Sequence, residues 1–501
     1  MDNRIKALPR TGRSADSVLE TMQQARGEDA RWRDGKVWSL VYNAGDETTE
    51  LLKRAYTMFF SENALNPTAF PSLKRMEAEV VSMTAHLLGG DAHAVGNMTS
   101  GGTESILMAV KAAREWGRAM GRGGRVPEIV APVSAHPAFD KAAHYFGMKI
   151  VHVPLGPDYR VDMKKMRRAI SRRTVLLVGS APQYPHGPVD PIEQIGALAQ
   201  RHGILCHVDA CVGGFMLPFV RELGYPVPPF DLRVPGVTSM SVDLHKYAYA
   251  AKPASVVLYR SPELRKHQFF AYTGWPGGIY VSPTMTGSRP GGAIAAAWAI
   301  MHYLGHEGYL EIAREVMATR DKLVAGIRAI EGLEVLGEPT MSVMGIGAKR
   351  PLDIYEIGDH MSERGWHMDR QQQPNSLHLT INRGHLSSAD AFLDDLREAV
   401  RLSQRDQKTY YKQQMLLTGM NAALRVIPAP LVTRLTKAAS KAMGLGGGQG
   451  DGLPKRTAAM YGMMASLPNK GDLDDIAVDI LDGLTRFDPK QRIEPDDQEE
   501  G

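Results

Sequence analysis

Lys246 ends the stretch Ser241-Val242-Asp243-Leu244-His245-Lys246, at the close of an apolar run that reads as a strand. A lysine there, beside His245 and after Asp243, can condense with an aldehyde cofactor. His207-Val208-Asp209-Ala210 closes another such run, and a carboxylate at a strand end can keep the proton on a pyridine nitrogen. Thr99-Ser100-Gly101-Gly102-Thr103-Glu104-Ser105 opens a helical segment. Its glycines let backbone N–H groups approach an anion, the helix start adds positive potential, and Thr103 adds a hydroxyl. Ser134-Ala135-His136-Pro137 follows a further strand-like run, where an imidazole can stack on a pyridine ring.

Taken singly, each has a plainer reading: a surface lysine, an N-cap or ion-paired aspartate, a capping box completed by Glu104, a core or surface histidine. Their joint order decides. A phosphate cup, a stacking ring, a pyridine-nitrogen partner and an aldehyde-binding lysine follow one another along the chain. Each lies at a strand end or a helix start, where open α/β sheets bind ligands. That order points to a pyridoxal 5'-phosphate enzyme whose working lysine is Lys246.

The elements that must position these residues alternate. Glu128–Ala131, Lys149–Val153, Thr174–Gly179, Leu205–Asp209, Val237–Val242 and Ser255–Tyr259 read as strands, with helical stretches between several of them. Such alternation predicts an α/β fold with a mostly parallel sheet covered by helices on both faces. Residues 1–90 read as a helical segment in which Pro67 and Pro71 break the pattern, and 91–330 as the large cofactor-binding domain. Residues 331–403 read as a smaller C-terminal α/β domain, 404–456 as a basic insertion with a Gly-rich end, 457–487 as a helical return to the small domain, and 488–501 as a disordered tail.

Composition narrows the class. With 501 residues, 43% hydrophobic and 23% charged, the chain is long enough for more than one domain and ordinary for a globular protein. A net charge of +4 is too small to argue for nucleic acid. Two cysteines, Cys206 and Cys211, rule out a disulfide scaffold, fit a reducing compartment and give no zinc signature. The N-terminus lacks an apolar signal region and the longest apolar run, Ala293–Met301, is far short of a membrane span, so a soluble cytoplasmic protein is expected.

The ordered blocks TSGGTES, SAHPAFDKAAHYFGMKIV, APQYPHG, HVDACVGGF, SVDLHKYAYAAK and GGIYVSPTMTGSRPGG resemble the sphingosine-1-phosphate lyases, in the group II decarboxylase-like branch of fold-type I pyridoxal-phosphate enzymes. The likeness covers roughly residues 10–400 and resumes at TAAMYGMM, 457–464. It implies a fold-type I architecture, and it implies roles. Lys246 matches the cofactor-bearing lysine, Asp209 the pyridine-nitrogen partner and His136 the stacking histidine. Gly102, Thr103 and His245 match cofactor-phosphate contacts, with Asp243 beside them, and Ser288 matches a residue reaching the cofactor phosphate of a neighbouring subunit. A homodimer with shared sites is therefore implied. Tyr42 and Tyr184 match positions close to the substrate, and Lys252 a lysine that holds the substrate phosphate, which Tyr42 and Asn66 also border. Asn66, in NALNP, stands where many members carry histidine; it can donate a hydrogen bond but carries no charge. The animal members begin with a membrane anchor, so the likeness here is to a soluble, bacterial-type member.

The implied reaction is retro-aldol cleavage of a phosphorylated long-chain base to a long-chain aldehyde and phosphoethanolamine. The base for the C3 hydroxyl is Tyr42, Tyr184 or Lys246, a choice that depends on geometry. Two other readings stand beside it: an amino-acid decarboxylase, and a non-catalytic membrane-lipid-binding protein on the same scaffold. Only the insertion favours the last. Arg434, Lys437 and Lys441 fall on one helical face, with Leu431, Val432, Leu435, Ala439 and Ala442 apolar, and no Asp or Glu occurs between Lys408 and Leu445. That pattern suits either an interfacial helix in transient contact with an anionic membrane or a hairpin packed on the subunit surface.

Overall fold

The computed structural model describes residues 8–405, 470–487 and 493. The basic segment 408–445 lies outside the described residues. The chain divides into two compact units, one of Met1–Val37, Gly347–Leu377 and Asp394–Gly501, the other of Trp38–Ile346 and His378–Leu393.

The second unit is built on a 7-stranded sheet. Its strands are β1 (Val95–Thr99), β2 (Glu128–Pro132), β3 (Lys149–Val153), β4 (Thr174–Ser180), β5 (Leu205–Asp209), β6 (Ser239–Val242) and β7 (Ser255–Tyr259), in the order β1-β7-β6-β5-β4-β2-β3. Pairings among β2 to β6 are parallel; β7 runs antiparallel to both β6 and β1. Every residue of β2, β4 and β7 is buried. That is why these strands read as continuous apolar runs rather than alternating ones.

The expected strands are present, and the sheet is mostly parallel as anticipated. Two elements escaped the sequence reading. One is β1, whose Val-Gly-Asn-Met-Thr lacks a strand-like apolar run. The other is a hairpin, β8 (Phe270–Trp275) and β9 (Gly278–Ser282), turned at Pro276-Gly277. Its residues are almost all exposed, so no core pattern betrayed it.

Pro71 does not break a helix: it opens helix Pro71–Leu87 at the first turn, where its missing N–H costs nothing and its fixed φ suits the helix. Helix Gly291–Arg328 departs from helical geometry at Gly305, whose φ of 58° lies in the left-handed region. At its start a Cβ on Gly292 would fall 2.7 Å from the Tyr56 carbonyl oxygen, so helix Asp46–Met58 packs against bare backbone there.

In the first unit, helix Ile354–Glu363 buries Ile354, Tyr355, Ile357 and Met361, and Asp359 on it pairs with Arg370 at 2.5 Å. Among the described residues no helix is long and apolar enough to cross a membrane.

Candidate active site

A cavity of about 470 Å³ opens at the C-terminal ends of the parallel strands. Gly102, Thr103, His136, Tyr184, Asp209, Asp243, His245, Lys246, Tyr42 and Lys252 all line it. Each arrives from an element end. Ser100–Thr103 follow β1, His136 follows β2, Tyr184 follows β4, Asp209 ends β5, and Asp243–Lys246 follow β6.

Two predicted residues lie elsewhere in the chain's own structure. Ser288 Oγ accepts a hydrogen bond from Asn63 at 3.2 Å, and Asn66 is exposed, its Oδ1 accepting from Thr68 N at 2.9 Å and Thr68 Oγ1 at 2.7 Å. Neither lines the cavity.

Helix Gly102–Ala119 points its N-terminus at the cavity, with no side chain capping it from Gly101. Its first N–H groups therefore face the space. Glycine is required: a Cβ on Gly102 would fall 2.7 Å from Cys211 Sγ and 2.8 Å from Asp243 Oδ1. Glu104 accepts from Ser100 N at 2.6 Å and from Met285 N at 2.8 Å, tying the helix start to the loop that carries Ser288.

Lys246 Nζ lies 2.9 Å from Asp243 Oδ2, and His245 Nε2 lies 3.8 Å from the same oxygen. Burial by itself would depress the Lys246 ammonium; Asp243 overrides it and holds the pKa above the ordinary lysine value. Burial opposes ionisation of Asp243, but Lys246 and His245 carry its pKa below the usual carboxylate value. Burial lowers the pKa of His245, whose Nδ1 bonds the Ala254 carbonyl at 2.7 Å.

Asp209 is 8% exposed and its Oδ1 accepts from Cys211 N at 3.0 Å and Ser241 Oγ at 3.1 Å. His136 turns Nδ1 to its own Ala138 N at 3.1 Å, which fixes the ring plane at the cavity wall. Two aromatic rings that line the space are held by neighbours. Tyr184 stacks on His378 at 3.9 Å, and Tyr42 meets the edge of Tyr247 at 5.1 Å. Lys252 Nζ donates to the Leu40 carbonyl at 2.7 Å, and burial lowers its pKa.

Sequence reasoning missed Cys211, Ser180, Thr380 and Leu40 as lining residues. Cys211 had a signal in its place two residues after Asp209. Leu40 and Thr380 had none, being brought in by tertiary contact.

The donor set fits pyridoxal phosphate: an uncapped helix start for a phosphate, a lysine for an aldehyde, a carboxylate with one oxygen tied back, and an imidazole at the wall. Residues 8–346 match the family model for the pyridoxal-dependent decarboxylase conserved domain. A glutamate decarboxylase of Lactobacillus brevis shares the fold at a TM-score of 0.70 and 19% identity, over 80% of this chain and 96% of that one. Fold and site thus define a fold-type I pyridoxal-phosphate enzyme.

Among such enzymes the chain is 49% identical to the sphingosine-1-phosphate lyase of Arabidopsis thaliana, over 79% of this chain and 74% of that protein. It is 46% identical to sphingosine-1-phosphate lyase 1 of Rattus norvegicus, over 84% and 74%. The solved sphingosine-1-phosphate lyase of Burkholderia pseudomallei superposes with a TM-score of 0.77 at 40% identity, over 82% of this chain and 96% of that one. The chain belongs to the sphingosine-1-phosphate lyase family.

Proposed function

We propose that this enzyme cleaves the C2–C3 bond of a phosphorylated long-chain base such as sphingosine-1-phosphate or its saturated analogue, giving a long-chain aldehyde and phosphoethanolamine. The observation that carries this reading is one cavity holding Lys246, Asp209 and the uncapped Gly102 helix start together with a second cation, Lys252, in a chain of this family.

Lys246 binds the cofactor aldehyde, the N–H groups of Gly102 and Thr103 with His245 hold its phosphate, His136 packs on its ring, and Asp209 keeps its ring nitrogen protonated. Asp243 keeps Lys246 and His245 in place. When bound, pyridoxal phosphate supplies the sink for the electron pair left on C2. Lys252 orients the substrate phosphate. A base at Tyr42, Tyr184 or Lys246 takes the C3 hydroxyl proton, C3 becomes the aldehyde carbon, and C2 is reprotonated before phosphoethanolamine leaves. With Tyr42 and Tyr184 among its lining, the cavity at the strand ends would limit water's access to the reacting C2.

The active unit is a homodimer. The hairpin exposes Phe270, Tyr272 and Tyr280 on one face and Ile279 and Val281 on the other, apolar surface that a second copy covers. It precedes the loop in which Ser288 reaches the partner's cofactor phosphate, and Asn66, exposed in this chain, borders the substrate phosphate in the assembled site. The protein works in the cytoplasm, where segment 408–445 either packs as a hairpin on the subunit surface or touches anionic membrane transiently. Deleting 408–452 tests the contact by a fall in anionic-vesicle binding.

The deciding assay measures aldehyde release from a phosphorylated long-chain base. Release of carbon dioxide from an amino acid, with no aldehyde formed, overturns the reading in favour of a decarboxylase.

A further inference from the structure

Asp209 does not stand alone on the sheet. His207 and Asp209 are two positions apart on β5, so their side chains leave the same face. Parallel β6 sets Ser239 beside His207 and Ser241 beside Asp209. The four side chains make one hydrogen-bonded chain. Ser239 Oγ lies 2.9 Å from His207 Nδ1, His207 Nε2 lies 3.2 Å from Ser241 Oγ, and Ser241 Oγ donates to Asp209 Oδ1 at 3.1 Å.

Proton counting fixes the direction of that chain. A carboxylate only accepts, so the single proton of Ser241 points to Asp209. Ser241 Oγ must then accept from His207, which places the imidazole proton on Nε2. His207 Nδ1 is left as an acceptor, and the Ser239 hydroxyl donates to it. Every O–H and N–H dipole along the chain points toward the Asp209 carboxylate.

The surroundings keep it so. His207 and Ser241 are fully buried and Ser239 is nearly so, while the Phe139 ring meets the His207 ring edge-on at 5.8 Å. Burial pushes the His207 pKa down to about 4, so the ring stays neutral with a single N–H. In so dry a place, aligned hydrogen bonds polarise one another, and a donor to an ionised carboxylate is roughly twice as strong as a neutral one. Cys211 N adds a second donor to Oδ1, which leaves Oδ2 for the cofactor.

We propose that Ser239, His207 and Ser241 are positioning residues: a directed proton-donor chain that holds the Asp209 carboxylate aimed at the cofactor's ring nitrogen, and through it keeps that nitrogen protonated. The proposal rests on the reading of Asp209 given above. It assigns a catalytic consequence to residues that never touch cofactor or substrate.

The test uses holoenzyme reconstituted with pyridoxal phosphate labelled with nitrogen-15 in the ring, read by NMR. Asp209→Asn calibrates the signal of a ring nitrogen that has lost its anionic partner. Ser241→Ala is expected to move the ring-nitrogen signal toward that of a neutral pyridine and to lower kcat about tenfold with KM little changed, the size expected for losing one hydrogen bond to a charged group. A residue that only packs would lower the unfolding temperature and leave the nitrogen signal where it was. If Ser241→Ala does not fold, Ser239→Ala and His207→Leu are read the same way, each with a smaller displacement in the same direction. A wild-type nitrogen signal in the folded relay variants, with Asp209→Asn displaced, overturns the relay and leaves Asp209 standing. A wild-type signal in Asp209→Asn itself overturns the reading of Asp209, and the relay with it.

Discussion

Lys246 Nζ and Asp243 Oδ2 stand 2.9 Å apart, three residues from each other in the turn that follows β6. The pair explains how a lysine can be kept in a buried cavity at all: the carboxylate offsets the desolvation that would otherwise strip its proton. It also makes the lysine's removal doubly visible. Borohydride reduction of the yellow wild-type enzyme should fix a pyridoxyl mass on the Lys246 peptide and on no other. Lys246→Ala should lose that label and also lose stability, because Asp243 is 3% exposed and would keep only the more distant His245, 3.8 Å away, as a cationic neighbour. The cost is on the order of 2 kcal/mol, below the range for fully buried pairs because the Lys246 side chain is 22% exposed. A label on another lysine would end the assignment.

Asp209→Asn should keep much of the cofactor and lose most of the turnover. The amide can still accept from Cys211 N, so local structure survives, but it cannot hold a proton on the ring nitrogen. By analogy with loss of a single oxyanion-hole donor, kcat should fall roughly 10²- to 10³-fold. Steady-state kinetics with the cofactor spectrum recorded alongside checks this, and near wild-type turnover refutes it.

How much of this was legible in sequence depends on what kind of signal each part leaves. The places of Lys246, Asp209, His136 and the Gly101-Gly102 turn were legible because each closes or closely follows a strand or opens a helix, and the buried strands β2, β4 and β7 are largely apolar runs. The β8–β9 hairpin was not legible, because exposed strands follow no core pattern; Pro276-Gly277 between β-branched and aromatic runs was its only local mark. The His207–Ser241 contact was invisible for a different reason. It depends on the β5–β6 register, which pairs residues 32 apart in the chain. Leu40 is similar: its φ of 66° and its carbonyl's bond to Lys252 are set by tertiary packing and leave no pattern in residue spacing.

Lys252 and Lys246 should divide their labour. Lys252 lies past a turn in which Tyr249 takes a φ of 55°, and it donates to the Leu40 carbonyl rather than to Asp243. Lys252→Ala should therefore raise KM for a phosphorylated substrate, on the order of tenfold for one lost charge-assisted hydrogen bond, and leave the cofactor's absorbance unchanged. Failure of the variant to bind pyridoxal phosphate would mean that both lysines serve the cofactor.

Sharing of sites between subunits predicts complementation. Lys246→Ala and a Ser288 loop variant should each be inactive alone as homodimers. Unfolded, mixed and refolded together, they should recover part of the wild-type rate, since one of the two sites in a mixed dimer then carries both intact parts. An active monomer in solution, by sedimentation, excludes the arrangement.

Acid should destabilise the enzyme through His207 in a defined window. Its pKa is about 4 in the fold against an ordinary 6.5. A histidine held neutral by burial binds fewer protons folded than unfolded between those two values, so its contribution is complete above pH 6.5 and is lost as pH falls toward 4. The difference is worth about 3 kcal/mol. His186 is depressed by burial to about 4 as well, so a single substitution removes only part of the slope. Urea midpoints should therefore drop less for His207→Gln than for wild type between about pH 7 and about pH 4.5, the gap approaching 2–3 kcal/mol. Parallel falls for the two proteins would mean that His207 already carries a proton in the folded state. The directed chain to Asp209 would then be reversed at its outer link, since a doubly protonated imidazole still donates to Ser241 but also donates to Ser239 instead of accepting from it.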